Sequence, residues 1–153
     1  MKKKDKIYYT GLFLDYSYMW NKIGHITNGR FERKIKRPHI TFLYRPDISD
    51  YSLVGVKATV IVTGYGYNGE NEGLSVSVET DNEELRKLFD AVDIPHMTLT
   101  VAEYGHSVNT RDVNFYPVPT IKLNAVYGIV TESGELITEK KYLAPSGLDE
   151  IIK

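Results

Sequence analysis

Apolar and polar positions along the chain follow two rhythms, and the two-residue rhythm of strands outweighs the helical one. Residues 6–15 (KIYYTGLFLD) are rich in β-branched and aromatic types and predict a first strand. Tyr16, Met19, Trp20 and Ile23 recur at helical spacing, which predicts a helix from Ser17 to about Asn28 with Ser17 as its cap. Residues 29–37 (GRFERKIKR) read as a basic loop or strand lead-in, and HITFLY at 39–44 as a short strand stopped by Arg45-Pro46 and the polar DISD turn. A long strand over 54–67, a turn at 68–73 (NGENEG) and a strand over 74–80 predict a hairpin. Residues 81–92 (DNEELRKLFDAV) form the clearest helix, with Asp81 or Asn82 as cap, early acidic residues, and Leu85, Leu88 and Phe89 on one face. Strands over 96–104, 120–131 and about 135–142 complete the chain, the last two joined by a turn at Ser133-Gly134.

The resulting order, βαβββαβββ, is that of an α+β fold with helices on one face of a sheet. No linker rich in proline, glycine or serine divides the sequence, so residues 1–153 are expected to form one domain. The basic and then apolar N-terminus (MKKKDKIYYTGLFLD) reads as a solvated tip and a strand. Its apolar part is too short for a signal peptide and is broken by Thr10 and Gly11. No apolar stretch is long enough to cross a membrane.

Composition narrows the chemistry. A formal net charge of -1 provides no global field for long duplex nucleic acid, so an anionic substrate must be held by local groups. The absence of cysteine excludes a disulfide framework, a cysteine-zinc site and a thiol nucleophile, and agrees with a reducing cytoplasm. Four histidines without clustered carboxylates make a poor metal-ligand set, so no metal and no cofactor is expected.

Two segments then stand out as alike, PHITF at 38–42 and PHMTL at 95–99, each opening a predicted strand. On a strand, residues i and i+2 share a face. His39 and Thr41 therefore point one way and Ile40 and Phe42 the other; His96 and Thr98 repeat this against Met97 and Leu99. If the strands lie close, two imidazoles and two hydroxyls meet. A neutral histidine can take a proton from an attacking water or hydroxyl, a protonated one can supply the leaving oxygen, and the threonines can donate to non-bridging phosphate oxygens. A third His-x-Thr, at 25–27, lacks the preceding proline and falls at the end of a helix, so it is read as structural.

At these residues the chain resembles the two-histidine (2H) phosphoesterase superfamily, whose signature is a pair of His-x-Ser/Thr motifs. TGLFLD at 10–15, VTGYGY at 62–67, LSVSVE at 74–79 and PHMTLTVAE at 95–103 resemble the subgroup containing the cyclic-phosphodiesterase domain of fungal tRNA ligases and small phage proteins. The resemblance spans roughly residues 7–131. It implies two pseudo-symmetric halves around a central cleft, His39 and His96 as acid-base pair, and Thr41 and Thr98 as phosphate-oxygen ligands. It also implies hydrolysis of a cyclic nucleotide, cyclic oligonucleotide or short RNA. One candidate is a phage enzyme that degrades cyclic oligonucleotide immune signals, the anti-CBASS type; another opens 2′,3′-cyclic phosphates in RNA repair. A module that sequesters a nucleotide without cleaving it is the alternative of another class.

Around the motifs, Arg30, Arg33, Lys34, Lys36 and Arg37 could draw in a phosphate, although charge runs commonly just face water. Tyr9, Tyr65, Tyr67 and Tyr104 are candidates for stacking a base, with Arg37 beside them as a phosphate contact. The sequence does not disclose the oligomeric state.

Overall fold

A computed structural model describes residues 6–46 and 51–139. Strand β1 (Ile7–Phe13) leads into helix α1 (Tyr16–Ile23), a two-residue strand β2 (Arg33–Lys34), and β3 (His39–Tyr44). The long hairpin β4 (Lys57–Tyr67) and β5 (Asn71–Glu79) precedes helix α2 (Glu83–Asp90) and β6 (His96–Val101). A 3-10 helix (Ser107–Asp112), the long strand β7 (Tyr116–Thr131) and the short β8 (Leu136–Ile137) follow. The fold is α+β, as the sequence predicts. Its eight strands form one antiparallel sheet in the order β2-β6-β5-β4-β7-β1-β3, with β8 on β7.

Boundaries differ from the sequence reading for local reasons. Helix α1 is capped by Asp15, whose carboxylate accepts from the Tyr18 amide at 2.9 Å, and not by Ser17. It ends at Ile23 rather than near Asn28, because the Ile23 carbonyl turns to accept from the amides of Ile26 and Thr27. Asn82 is the cap of α2, accepting from Leu85 at 3.0 Å; such caps are worth about 1 kcal/mol. Strand β5 begins at Asn71, inside the predicted turn, since Asn68 tightens the bend by accepting from the amides of both Glu70 and Asn71. The basic lead-in contributes β2, which pairs with β6. The N-terminal tip, the turn at 47–50 and the end of the last predicted strand beyond residue 139 lie outside the described residues.

Leu12, Ile40, Val60, Leu74, Met97, Leu123 and Ile129 are fully buried on one face of the sheet, packed with Met19 and Ile23 of α1 and Leu85 and Phe89 of α2. Each such side chain stabilises the fold by about 1.5–3 kcal/mol. Ile40 and Met97 reach this core because each follows its histidine by one residue, which leaves His39 and His96 on the other face.

The two motif strands are held in the same way. β3 lies on β1 and β6 on β5, and the registers match: His39 faces Phe13 and His96 faces Ser75; Ile40 faces Leu12 and Met97 faces Leu74; Thr41 faces Gly11 and Thr98 faces Gly73. A register shift follows at the same place in both pairs, between Thr10 and Gly11 and between Glu72 and Gly73. Both glycines are required by close approach. A Cβ on Gly11 would stand 2.0 Å from the Ile40 carbonyl oxygen, and one on Gly73 would stand 2.8 Å from that of Met97.

Candidate active site

β3 and β6 are not hydrogen-bonded neighbours in the sheet, yet it curls enough to bring them against each other. His39 and His96 open these strands and are half-buried. Each ring is fixed identically. Nδ1 of His39 donates to the Arg37 carbonyl at 2.7 Å, and Nδ1 of His96 donates to the Ile94 carbonyl at 2.8 Å. A carbonyl can only accept, so the proton sits on Nδ1 in both rings. Nε2 is left as the atom that gains and loses a proton.

The prolines of the repeated pentapeptide belong to this geometry. Each acceptor carbonyl comes from the residue before Pro38 or Pro95, where proline disfavours helical backbone. The proline carbonyls themselves tie the motif to the neighbouring strand, Pro38 accepting from Leu14 at 3.0 Å and Pro95 from Val76 at 3.4 Å.

Burial of the ring holds His39 below the usual imidazole value of 6.5, opposed by the Arg37 carbonyl and reinforced by the charges of His96 and Arg37. Burial also lowers His96, opposed by the Ile94 carbonyl and reinforced by Arg111. The His39 ring is stacked with Tyr9 at 4.9 Å and with Phe13 at 5.3 Å between centroids. Phe13 has no place in the sequence reading, although its alternation with Tyr9 on β1 puts both on the histidine face.

The threonines differ. Thr41 is exposed, and its hydroxyl has no hydrogen-bond partner among the described residues. Thr98 lies under the 3-10 helix, with its hydroxyl 3.1 Å from the Ser107 carbonyl and 2.7 Å from the Thr110 hydroxyl. Thr110 is fully buried and also accepts from the Asn71 amide at 3.0 Å. Sequence reasoning missed Thr110 and Asn71, which lie far from the motif in the chain. The Gly-Leu pairs at 11–12 and 73–74 are the signal by which the matched strand partners could have been found.

Among the other candidates, Tyr9 and Arg37 are brought to His39. Arg37 supplies its carbonyl to the imidazole and sends its guanidinium to the Gly134 carbonyl at 2.9 Å. Tyr65 and Tyr67 are not brought there. They face Leu74 and Glu72 across the hairpin, on the side opposite His96. Tyr104 is 87% exposed and lies past the far end of β6. The basic run is largely spent on local packing: Arg30 lies 3.7 Å from the Tyr67 ring centroid, Lys34 4.9 Å from that of Trp20 and Lys36 5.6 Å from that of Tyr16, while Arg33 caps the carbonyls of Ala102 and Gly105.

In the third His-x-Thr, His25 is exposed and Thr27 donates to the buried carboxylate of Glu72 at 2.5 Å. Glu72 also accepts from Tyr65, Thr100 and the Arg30 amide. Although burial alone would raise it, these hydrogen bonds hold its carboxyl below the ordinary value. No group of three or more histidine, aspartate or glutamate side chains that could hold a metal ion occurs among the described residues. No helix among them is long and apolar enough to cross a membrane.

In comparisons with known proteins, no family model matches the chain and no curated protein matches it.

Proposed function

We propose that this protein is a metal-independent phosphodiesterase of the two-histidine type, with the two-lobed architecture of that superfamily, acting on a cyclic nucleotide or small oligonucleotide. The observation that carries this reading is the matched pair of Nδ1 hydrogen bonds to the carbonyls of Arg37 and Ile94, which leaves Nε2 of both rings for proton transfer. A structural histidine needs no such duplication.

In the proposed reaction, a neutral Nε2 takes a proton as water attacks phosphorus. The opposite Nε2, protonated, gives its proton to the departing oxygen as the P–O bond breaks. The histidines end with their protonation states exchanged and reset through solvent. The unpartnered Thr41 hydroxyl donates to a non-bridging oxygen, where charge gathers in the transition state. Thr98 is the second phosphate-oxygen ligand, its hydroxyl proton turning to the phosphate from the Ser107 carbonyl and Thr110 hydroxyl that hold it in the free protein.

The substrate class follows from the sequence resemblance. A cyclic oligonucleotide immune signal, degraded by a phage enzyme of the anti-CBASS type, is the first choice; a 2′,3′-cyclic phosphate is the second. Incubation with cyclic dinucleotides, cyclic trinucleotides, 2′-5′ oligoadenylate and 2′,3′-cyclic nucleotides, followed by chromatography, tests the reading. Cleavage of at least one supports it, and binding without any product assigns the chain to the sequestering class instead.

A further inference from the structure

Three tyrosines away from the histidine face gather around one cavity. Tyr65, Gly66 and Tyr67 of β4 and Tyr116, Pro117 and Val118 of β7 line a cavity of about 390 Å3, within the size range of small-ligand pockets. Tyr65 and Tyr116 are register partners, so their side chains share the face opposite His96. Tyr67 and Tyr116 are 48% and 69% exposed, large aromatic surface for so small a patch.

The rings have different degrees of freedom. Tyr65 is fixed by donating its hydroxyl to Glu72 at 2.5 Å, and its ring centroid lies 6.2 Å from that of Tyr67. Tyr116 packs on no aromatic ring or cation among the described residues, which leaves it as an open platform beside Pro117 and Val118. Arg30 is anchored at its backbone by Glu72, and its guanidinium lies 3.7 Å from the Tyr67 centroid. That guanidinium makes no hydrogen bond or ion pair among the described residues. A cavity lined by tyrosine rings, one of which is covered by a guanidinium free of hydrogen bonds and ion pairs, suits a planar ring that carries an anion. A purely apolar occupant would leave Arg30 unused, and a bare anion would leave the tyrosines unused.

We propose that this cavity is a second site, separate from the histidines, that takes a nucleoside 5′-phosphate or the same unit within a single-stranded oligonucleotide. The base stacks on Tyr116 and the phosphate meets Arg30. The inference does not depend on the proposed phosphodiesterase chemistry.

Titration of the intact protein with AMP, followed through backbone-amide NMR shifts, tests it; AMP has no diester to cleave, so turnover plays no part. Saturable shifts are expected at Gly66, Tyr67 and Val118, with AMP bound more tightly than adenosine and inorganic phosphate weakest. Short oligoadenylate distinguishes the two sources of the unit, binding more tightly than AMP if the site serves a strand and equally if it serves a free nucleotide. Tyr116→Ala should weaken AMP binding roughly 5- to 150-fold, the loss of one base-aromatic stack. Arg30→Met, which keeps an uncharged side chain of similar length over Tyr67, should bring AMP down to the affinity of adenosine. Shifts confined to β3 and β6, or AMP affinity unchanged in both variants, would overturn the proposal.

Discussion

At the scale of single residues, the proposed proton transfer turns on which nitrogen of each imidazole is available. Because the Arg37 and Ile94 carbonyls occupy Nδ1, removing either ring would, in the proposed reaction, remove a proton-transfer group worth typically ~10²–10⁴-fold in rate. His39→Ala and His96→Ala should each lose activity on that scale while keeping the circular-dichroism spectrum of the parent; equal turnover in parent and variant would contradict the assignment. The pH dependence follows from the lowered values of both rings. The proposed reaction needs one ring protonated and one neutral, and both rings are held below the ordinary 6.5. The kcat/KM profile should therefore be bell-shaped with its maximum on the acid side of that value. Stability should change in the same window. The unfolded chain takes up these protons at higher pH than the folded one, so stability falls as pH drops below about 6.5. Urea unfolding across that range checks the sign.

At the scale of elements, the matched strand pairs explain both what the sequence revealed and what it withheld. Alternation alone put His39 and Thr41 on one face and Ile40 on the other, because strand periodicity is local. The same logic located His96, Thr98 and Met97. It could not locate Phe13, Asn71 or Thr110, whose proximity to the motifs depends on which strands pair and in what register. Tyr65 and Tyr67 have the right chemistry for base stacking, yet register places them on the face opposite His96. The cap of α1 went to Asp15 rather than Ser17, a choice between two good capping residues that nothing in the pattern decides. Two substitutions test the pairing. Gly11→Ala would drive a Cβ to 2.0 Å from the Ile40 carbonyl oxygen, and should cost about 1–3 kcal/mol or more in thermal unfolding. Glu72→Gln replaces one acceptor oxygen with an NH₂ that confronts its donors, Thr27 and Tyr65 or Thr100 and the Arg30 amide. A loss of about 1–3 kcal/mol is expected from the donors left unsatisfied, and unchanged stability would show that the carboxylate does not anchor the residue 25–30 loop.

At the scale of the whole molecule, one curled sheet carries a continuous core on one face and the paired histidines on the other, and β3 and β6 meet because the sheet curls. The repeated pairing of β1 with β3 and β5 with β6 gives each histidine the same support, while the 3-10 helix covers only the Thr98 side. The central claim is that these two supports serve one reaction. The most direct measurement is product formation by the intact chain from the panel of cyclic and 2′-5′ linked nucleotides in excess chelator, run beside His39→Ala and His96→Ala. The parent should cleave at least one substrate undiminished by the chelator, and both variants should fail on that same substrate. Product from neither parent nor variants, or equal product from all, would contradict the claim.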